Sequence, residues 1–529
     1  MPTTNSNAVP VNIVGSSQFA IYPKMNIEKT FNMFISDEWL INYAGYQRRL
    51  NLGSGVEGRG LYASYRGNFM IAVAGTGVYK ITEGLGSVFI ANIDTSHGGV
   101  SIAENLNSQI CIVDGLKAYI YNYETGQFAT QTLLWNTTVE ITPNYVDFHN
   151  TYFLFGSSPA SNNPHTWYAA TFATATTIQI ALQDQFTLST KPDYALAVLR
   201  IPGRGNNVIV IGSTVAEIWT QVGGTENYRR VSSSNINVGT ISVDTIATSD
   251  DKVVWLAHNE DESPTIIETN GSQHRIISTD GISHLMETLI HPEESSGFIY
   301  KQNGHLFYHL TFHNPTDNLS LLYDFNTEKF YHLSDENQNY YPARQAAFFN
   351  RKVYFSSLND NGIYEMSPDL LTYNYNLDAT IVGDVIPRIR VTNTIRKDDS
   401  SVFRSNSFSF WLEQGVNSFT AANEDEVVCV GQLAEEDTGD AILTEDGVPI
   451  LNDEGYCVIN ANRPRVDLSF SKDGNQSFSN IVSRNLNSQG NYRNQINWHR
   501  MGQANEITFQ LRFWGLSRFV AKDATLETY

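Results

Sequence analysis

The sequence predicts an all-β protein: a β-propeller of six or seven blades, an N-terminal arm, and an accessory C-terminal β domain carrying an acidic β-ribbon insertion. Three observations carry this expectation. Of 529 residues, 41% are hydrophobic and 12% aromatic, only 17% are charged, and there are 37 glycines, a composition that suits strands and tight turns better than long helices. From Gly60 the chain repeats one kind of unit at roughly 40–55 residue spacing, the range of four-stranded propeller blades. After Pro387 that period stops, and longer strands with alternating apolar residues begin.

Residues 1–32 are polar and show no core pattern before Phe19, Ile21 and Tyr22. They read as an arm or an added edge strand, so 1–58 is taken as an N-terminal arm with the loop that leads into the propeller. The propeller is expected over 59–384. Each unit has a short, very apolar strand, a break rich in Gly, Asn or Asp, and a second strand bearing aromatics. The units run from Asn68 to Ile81, Gln109 to Tyr121, Tyr152 to Tyr168, Val208 to Trp219, Val253 to Ile267, Leu306 to Phe325 and Val353 to Tyr364. Two of them share a further turn, Tyr121 to Phe128 and Tyr323 to Phe330. Two stacked sandwiches would instead show a turn about every 8–12 residues without the longer period.

The C-terminal β domain is expected over 385–529. It opens with Arg388, Arg390, Arg396 and Lys397, then a long alternating strand from Phe403 to Leu412. The insertion 421–456 carries 11 acids and no base, and repeats an apolar pair, acids and a turn glycine at Ile442–Gly447 and Ile450–Gly455. A solvated β-ribbon finger is the natural reading; clustered carboxylates also suit calcium, but the EF-hand ligand order is absent. Beyond it, Val466, Leu468 and Phe470 alternate with polar residues, Asp473-Gly474 marks a turn, and Ile507, Phe509, Leu511 and Phe513 alternate again. The strands Phe408–Leu412 and Val466–Phe470, on either side of the insertion, are expected to be able to pair directly.

Charge is uneven. Residues 1–384 hold 20 basic and 36 acidic side chains, whereas 385–420 with 457–529 hold 14 basic and 8 acidic. The net charge of −21 argues against a simple nucleic-acid binder, though not against a wall that DNA slides past. Arg388, Arg390, Arg396, Lys397, Arg484, Arg493 and Arg500 are therefore the candidate assembly interface, facing acidic surface on a neighbour.

The three cysteines, Cys111, Cys429 and Cys457, match no metal spacing and are too few for a disulfide framework. Cys429 and Cys457 flank the insertion and could lie near each other; free thiols are the expected state. No apolar run approaches a membrane span and no signal-like segment opens the chain, so a soluble protein is expected. Gly53–Gly58 spells GxGxxG, but strand-like residues follow it where a dinucleotide site needs a helix. HExxH, GxSxG and Walker A are absent. The Ser471–Phe478 turn is similar to the structural Asp-box turn of sialidase-like propellers, one residue short in spacing. No cofactor, metal or catalytic residue is called for.

The order of the C-terminal pieces is more specific than any one of them: a strand, an SxDGxxSF turn, spaced arginines, a Trp498-His499-Arg500-Met501-Gly502 run and an alternating strand with Arg512. Upstream, a Thr30-Phe31-Asn32-Met33 segment, Arg59-Gly60-Leu61 and the strand end Ala74 to Lys80 follow in matching order. This resembles the tail hub, nozzle or packaged-DNA stabilisation proteins of short-tailed phages. The resemblance implies a structural, non-enzymatic virion protein, made in the host cytoplasm. It implies a ring of six copies below the portal and adaptor, a DNA channel that retains packaged DNA without sequence-specific binding, and attached needle, fibre or spike proteins. The alternative is a carbohydrate-binding or glycan-depolymerising propeller of a tail fibre, marked by exposed aromatics and paired carboxylates on one propeller face.

Overall fold

The computed structural model describes residues 7–528 apart from 20–26, 54–56, 172–175, 224–226, 262, 380, 398–400, 415–426, 433–450, 460–463 and 488–489. The chain forms two compact units. One contains Ser17–Ile21 and Ala44–Gly383; the other contains Met1–Ser16, Tyr22–Tyr43 and Asp384–Tyr529.

The first unit is the propeller, and among the described residues it has seven blades of four antiparallel strands. Blade 1 is Gly58–Ala63, Phe69–Ala74, Gly77–Thr82 and Ser87–Asn92. Blade 2 is Ser101–Glu104, Gln109–Val113, Ala118–Asn122 and Gln127–Trp135. Blade 3 is Pro143–His149, Tyr152–Ser157, Thr166–Ala170 and Gln185–Thr187. Blade 4 is Ala197–Arg200, Asn207–Ile211, Ala216–Gln221 and Tyr228–Ile236. Blade 5 is Ala247–Ser249, Lys252–His258, Pro264–Thr269 and His274–Ile276. Blade 6 is Ser295–Gln302, His305–Phe312, Leu319–Asp324 and Lys329–Leu333. Each repeat unit of the sequence is the second and third strands of one blade, which settles the blade number at seven.

The apolar runs follow from burial on both faces, since successive side chains of a strand point to opposite sides. In blade 4, Val208 and Val210 pack with Leu154 and Trp167 of blade 3, while Ile209 and Ile211 pack with Val253 and Trp255 of blade 5. The same alternation joins blades 1 and 2 through Ile71 and Ile110, 2 and 3 through Cys111 and Phe153, and 5 and 6 through Leu256 and Leu310. His309 of blade 6 meets Tyr341 before blade 7, with ring centroids 5.2 Å apart. Met70 of blade 1 packs with Tyr354 and Ile363 of blade 7, so the packing closes on itself.

Blade 7 corrects the expectation that 1–58 is only an arm and loop. Its strands are Ala343–Phe349, Lys352–Ser357, Gly362–Ser367 and, from the other end of the chain, Gly45–Asn51. Gly45–Asn51 pairs antiparallel with Gly362–Ser367. The first strand of the propeller thus completes its last blade, because a closed ring must join two distant parts of the chain.

The second unit packs two sheets around one core. One has the order Met33–Ser36, Trp39–Asn42, Val520–Thr528, Phe403–Leu412, Gln495–Ala504, and Asn7–Val11 also pairs with Val520–Thr528. The other runs Lys29–Phe31, Arg388–Val391, Glu506–Trp514, Arg465–Ser471, Val482–Asn485. Phe408, Phe410 and Trp498 of the first meet Leu468, Phe509 and Phe513 of the second. The N-terminal segment is an added edge strand that buries Val11 and Ile13.

The expected pairing of Phe408–Leu412 with Val466–Phe470 is not made: those strands lie in different sheets, facing the same core. The Asp473-Gly474 turn joins Arg465–Ser471 to Val482–Asn485. Of the insertion, Val427–Gln432 and Leu451–Ile459 form an antiparallel pair with Cys429 and Cys457 in register. Most of its acids, and the Ile442–Gly447 motif, lie outside the described residues. Among the described residues no helix is long and apolar enough to cross a membrane.

Candidate functional site

Propellers bring the first strands of their blades around one axis, and here a cavity of about 450 Å³ opens there. It is lined from every side of the ring by Arg59, Ser101, Tyr145, Leu196, Asp244, Ser296 and Arg344. Two of the charged groups among them, Arg344 and Asp244, pair with each other. Arg344, whose side chain is 5% exposed, places Nη2 2.9 Å from Asp244 and Nη1 3.5 Å from Glu57. Asp244 belongs to the short turn Val243–Thr245 leading into blade 5. Its carboxylate lies 2.1 Å from where a side chain on Gly99 would begin. Only a residue without Cβ lets a blade 5 carboxylate come that near the segment entering blade 2.

Arg59 sits beside this pair. Its Nε donates to Gly98 O at 2.7 Å, Nη1 to Gly75 O at 2.9 Å and Thr95 O at 2.6 Å, and Nη2 to Thr95 Oγ1 at 2.8 Å. Thr95 in turn donates to Asp114 at 2.8 Å. Burial pulls the guanidinium below its ordinary pKa, and the charge of Asp114 opposes that. Asp114 also accepts from the Leu116 and Lys117 amides and from the Tyr119 hydroxyl, at 3.1, 2.8 and 3.0 Å. His313 is pulled down first by burial and then by the nearby Arg344 charge. The arrangement braces the loops at the axis. Asp114 is held by Thr95, Tyr119 and the Leu116 and Lys117 amides, and Asp244 is held by Arg344 through Oδ2.

The sequence picked out the Arg59-Gly60 pair but not its partners. Asp244 and Arg344 are 100 residues apart, and no local pattern marks either as axial.

The proposed assembly residues divide into two groups. Arg388 and Arg390 are 1% and 0% exposed, and both are withdrawn as interface residues. Arg388 lies over the Phe519 ring, 5.6 Å from its centroid. Arg390 ties the N-terminal segment down: Nε donates to Ile13 O at 2.8 Å, Nη1 to Ser16 O at 3.1 Å and Thr30 Oγ1 at 3.1 Å, and Nη2 to Asn12 O at 3.2 Å and to Glu28. An alternating strand puts every second residue on the core face, and both arginines reach inward to groups the sequence places far away.

Arg396, Lys397, Arg484, Arg493 and Arg500 are exposed. Arg396 is paired with Glu506 at 2.7 Å. For Arg484, Arg493 and Arg500 no carboxylate partner occurs among the described residues. Arg484 bonds backbone instead, to Asn497 O and Ser483 O at 3.1 Å each.

A family model for phage stabilisation proteins, described as bacteriophage P22 Gp10, beta-propeller, matches residues 18–371. No curated protein matches the chain. Among solved structures, one from the mitotic checkpoint complex is 12% identical with a TM-score of 0.39, covering 60% of this chain and 92% of that one. The extracellular domain of a one-component system from B. thetaiotaomicron is 10% identical with a TM-score of 0.43, covering 89% of this chain and 58% of that one. Streptogramin B lyase is 12% identical with a TM-score of 0.39, covering 61% and 97%.

Proposed function

The chain belongs to the phage stabilisation family of bacteriophage P22 Gp10, whose members are β-propellers, and on that premise we propose that it is the hub, or nozzle, of a short phage tail. In this reading copies of the chain form a ring, six by the family resemblance, below the portal and adaptor. The ring continues the DNA channel, retains packaged DNA until ejection and anchors the tail appendages.

The family match carries the phage structural role. The axial cluster supports the kind of part the propeller would be. A cavity of about 450 Å³ crossed by the Asp244–Arg344 pair is far too small for a DNA duplex. The propeller is then a solid wall block, and DNA passes through the lumen between copies. A net charge of −21 suits such a wall, since each phosphate contact adds affinity and drag. The glycan-depolymerising alternative calls for a pair of carboxylates facing a cleft; at the axis Asp114 braces a loop through Thr95 and the Lys117 amide, and Asp244 pairs with Arg344.

Electron microscopy of virions, with the protein labelled by a specific antibody, tests the reading. A label at the tail vertex, in a ring under the portal, is expected. Label along fibres, or particles without the protein, would remove it.

A further inference from the structure

The strand Val482–Asn485 buries neither of its faces. All four residues are exposed, with Val482 at 42% and the preceding Ile481 at 52%. Among the described residues it ends its sheet, pairing with Arg465–Ser471 on one side only. An edge strand with exposed apolar side chains is what proteins ordinarily cover, or use to add a strand from a partner.

The other sheet ends on the same side. Trp498 Nε1, on the edge strand Gln495–Ala504, donates to Val482 O at 2.8 Å, and Arg484 Nε reaches Asn497 O at 3.1 Å. Asn487 holds the loop before that strand through Arg493 O at 2.9 Å, and this loop presents Tyr492, 65% exposed. One side of the unit therefore carries the end strands of two sheets, bridged by Trp498 and Arg484, together with the apolar Ile481, Val482 and Tyr492 and the exposed cations Arg484, Arg493 and Arg500. Arg500 is held in the left-handed region at φ 66°, at a shift of register against Ser405–Ser407. That conformation costs a non-glycine residue about 1–2 kcal/mol.

We propose that this double edge is the docking surface for the acidic insertion 421–456 of a second copy of the chain. The insertion has the matching chemistry: 11 acids, no base, and short apolar pairs at Ile442-Leu443 and Ile450-Leu451. Acids lie against the three arginines, and the apolar pairs cover Ile481, Val482 and Tyr492. The occupant is assigned to another copy because, in the ring reading above, each copy meets a neighbour that carries the same basic edge and the same acidic insertion. Finger into edge is a head-to-tail contact, the kind that closes rings. The inference rests on the ring reading above and names its contact.

Sedimentation velocity of the full chain at low and high salt tests it. Two variants are used: Arg484→Glu with Arg493→Glu, and Glu435→Lys with Glu436→Lys and Asp437→Lys. All substituted arginines are exposed, and matching thermal unfolding with the wild type checks that each variant is folded. The wild type should associate at low salt and less at high salt. Each variant alone should associate at least about tenfold more weakly, since attraction becomes repulsion. Their equimolar mixture, in which every finger meets an edge of opposite charge, should recover association. Val482→Pro, which blocks strand addition, should also associate more weakly than the wild type. Variants that associate like the wild type, or a wild type monomeric at low salt and high concentration, overturn the proposal. Either result leaves the location of the protein in virions to be decided by imaging, so the two readings fail separately.

Discussion

His309 shows how one buried side chain sets a pH dependence. It lies in the second strand of blade 6, stacked on Phe298 at 4.7 Å, and burial lowers its pKa from 6.5 to about 3. The folded protein keeps this ring neutral, while the unfolded chain protonates it below its ordinary value. The unfolded state then binds more protons, so this contribution is complete above about pH 6.5 and is lost as pH falls towards 3, at about 1.4 kcal/mol per pH unit. His309→Phe keeps the stack and should flatten that slope in urea unfolding measured at pH 7, 6 and 5. Arg390 makes the complementary point. Arg390→Met strands the buried Glu28, which is 5% exposed, and should cost about 3–5 kcal/mol. Adding Glu28→Gln should recover part of it. Thermal unfolding, with proteolysis within residues 12–16 as the local readout, checks both.

At the scale of elements, the ring depends on a strand borrowed from the far end of the chain. Tyr46 anchors it: its ring stacks on Tyr373 at 4.4 Å and meets Tyr341, Phe355 and Tyr364 edge-on at 5.4–5.6 Å. Its hydroxyl bonds Tyr375 at 2.5 Å. Tyr46→Ala should cost about 3–5 kcal/mol, as loss of a buried aromatic does, and hydrogen exchange should rise first in Gly362–Ser367. Tyr46→Phe should cost far less, since it loses only one hydrogen bond. The insertion is the opposite case. Replacing 423–458 by a Gly/Ser turn should leave the unfolding temperature nearly unchanged, because loop closure depends weakly on length. The joined strands lie in different sheets, so the turn must cross the end of the core rather than form a hairpin. A second unit that unfolds on its own in calorimetry would show that the insertion belongs to the core.

For the whole molecule, charge and closure together predict weak contact with DNA. With a net charge of −21 and an axial cavity too small for a duplex, the chain should not retain duplex DNA on a filter at physiological salt, and any binding at low salt should show a shallow salt slope. Tight, steeply salt-dependent binding would require a lumen lined by the few exposed arginines. How much of this was legible in the sequence follows from what a linear pattern records. A strand between two blades is apolar at every position and recurs at a fixed period, so all seven repeat units and the change after Pro387 could be read directly. The same composition left six and seven blades equal, because closure is a property of where the ends meet. Gly45–Asn51 completing blade 7, Asp244 crossing to Arg344, and Arg388 and Arg390 turning inward were decided only by tertiary structure. Alternation tells that a residue faces one side of a strand, but which distant charge waits on that side depends on how the sheets are brought together.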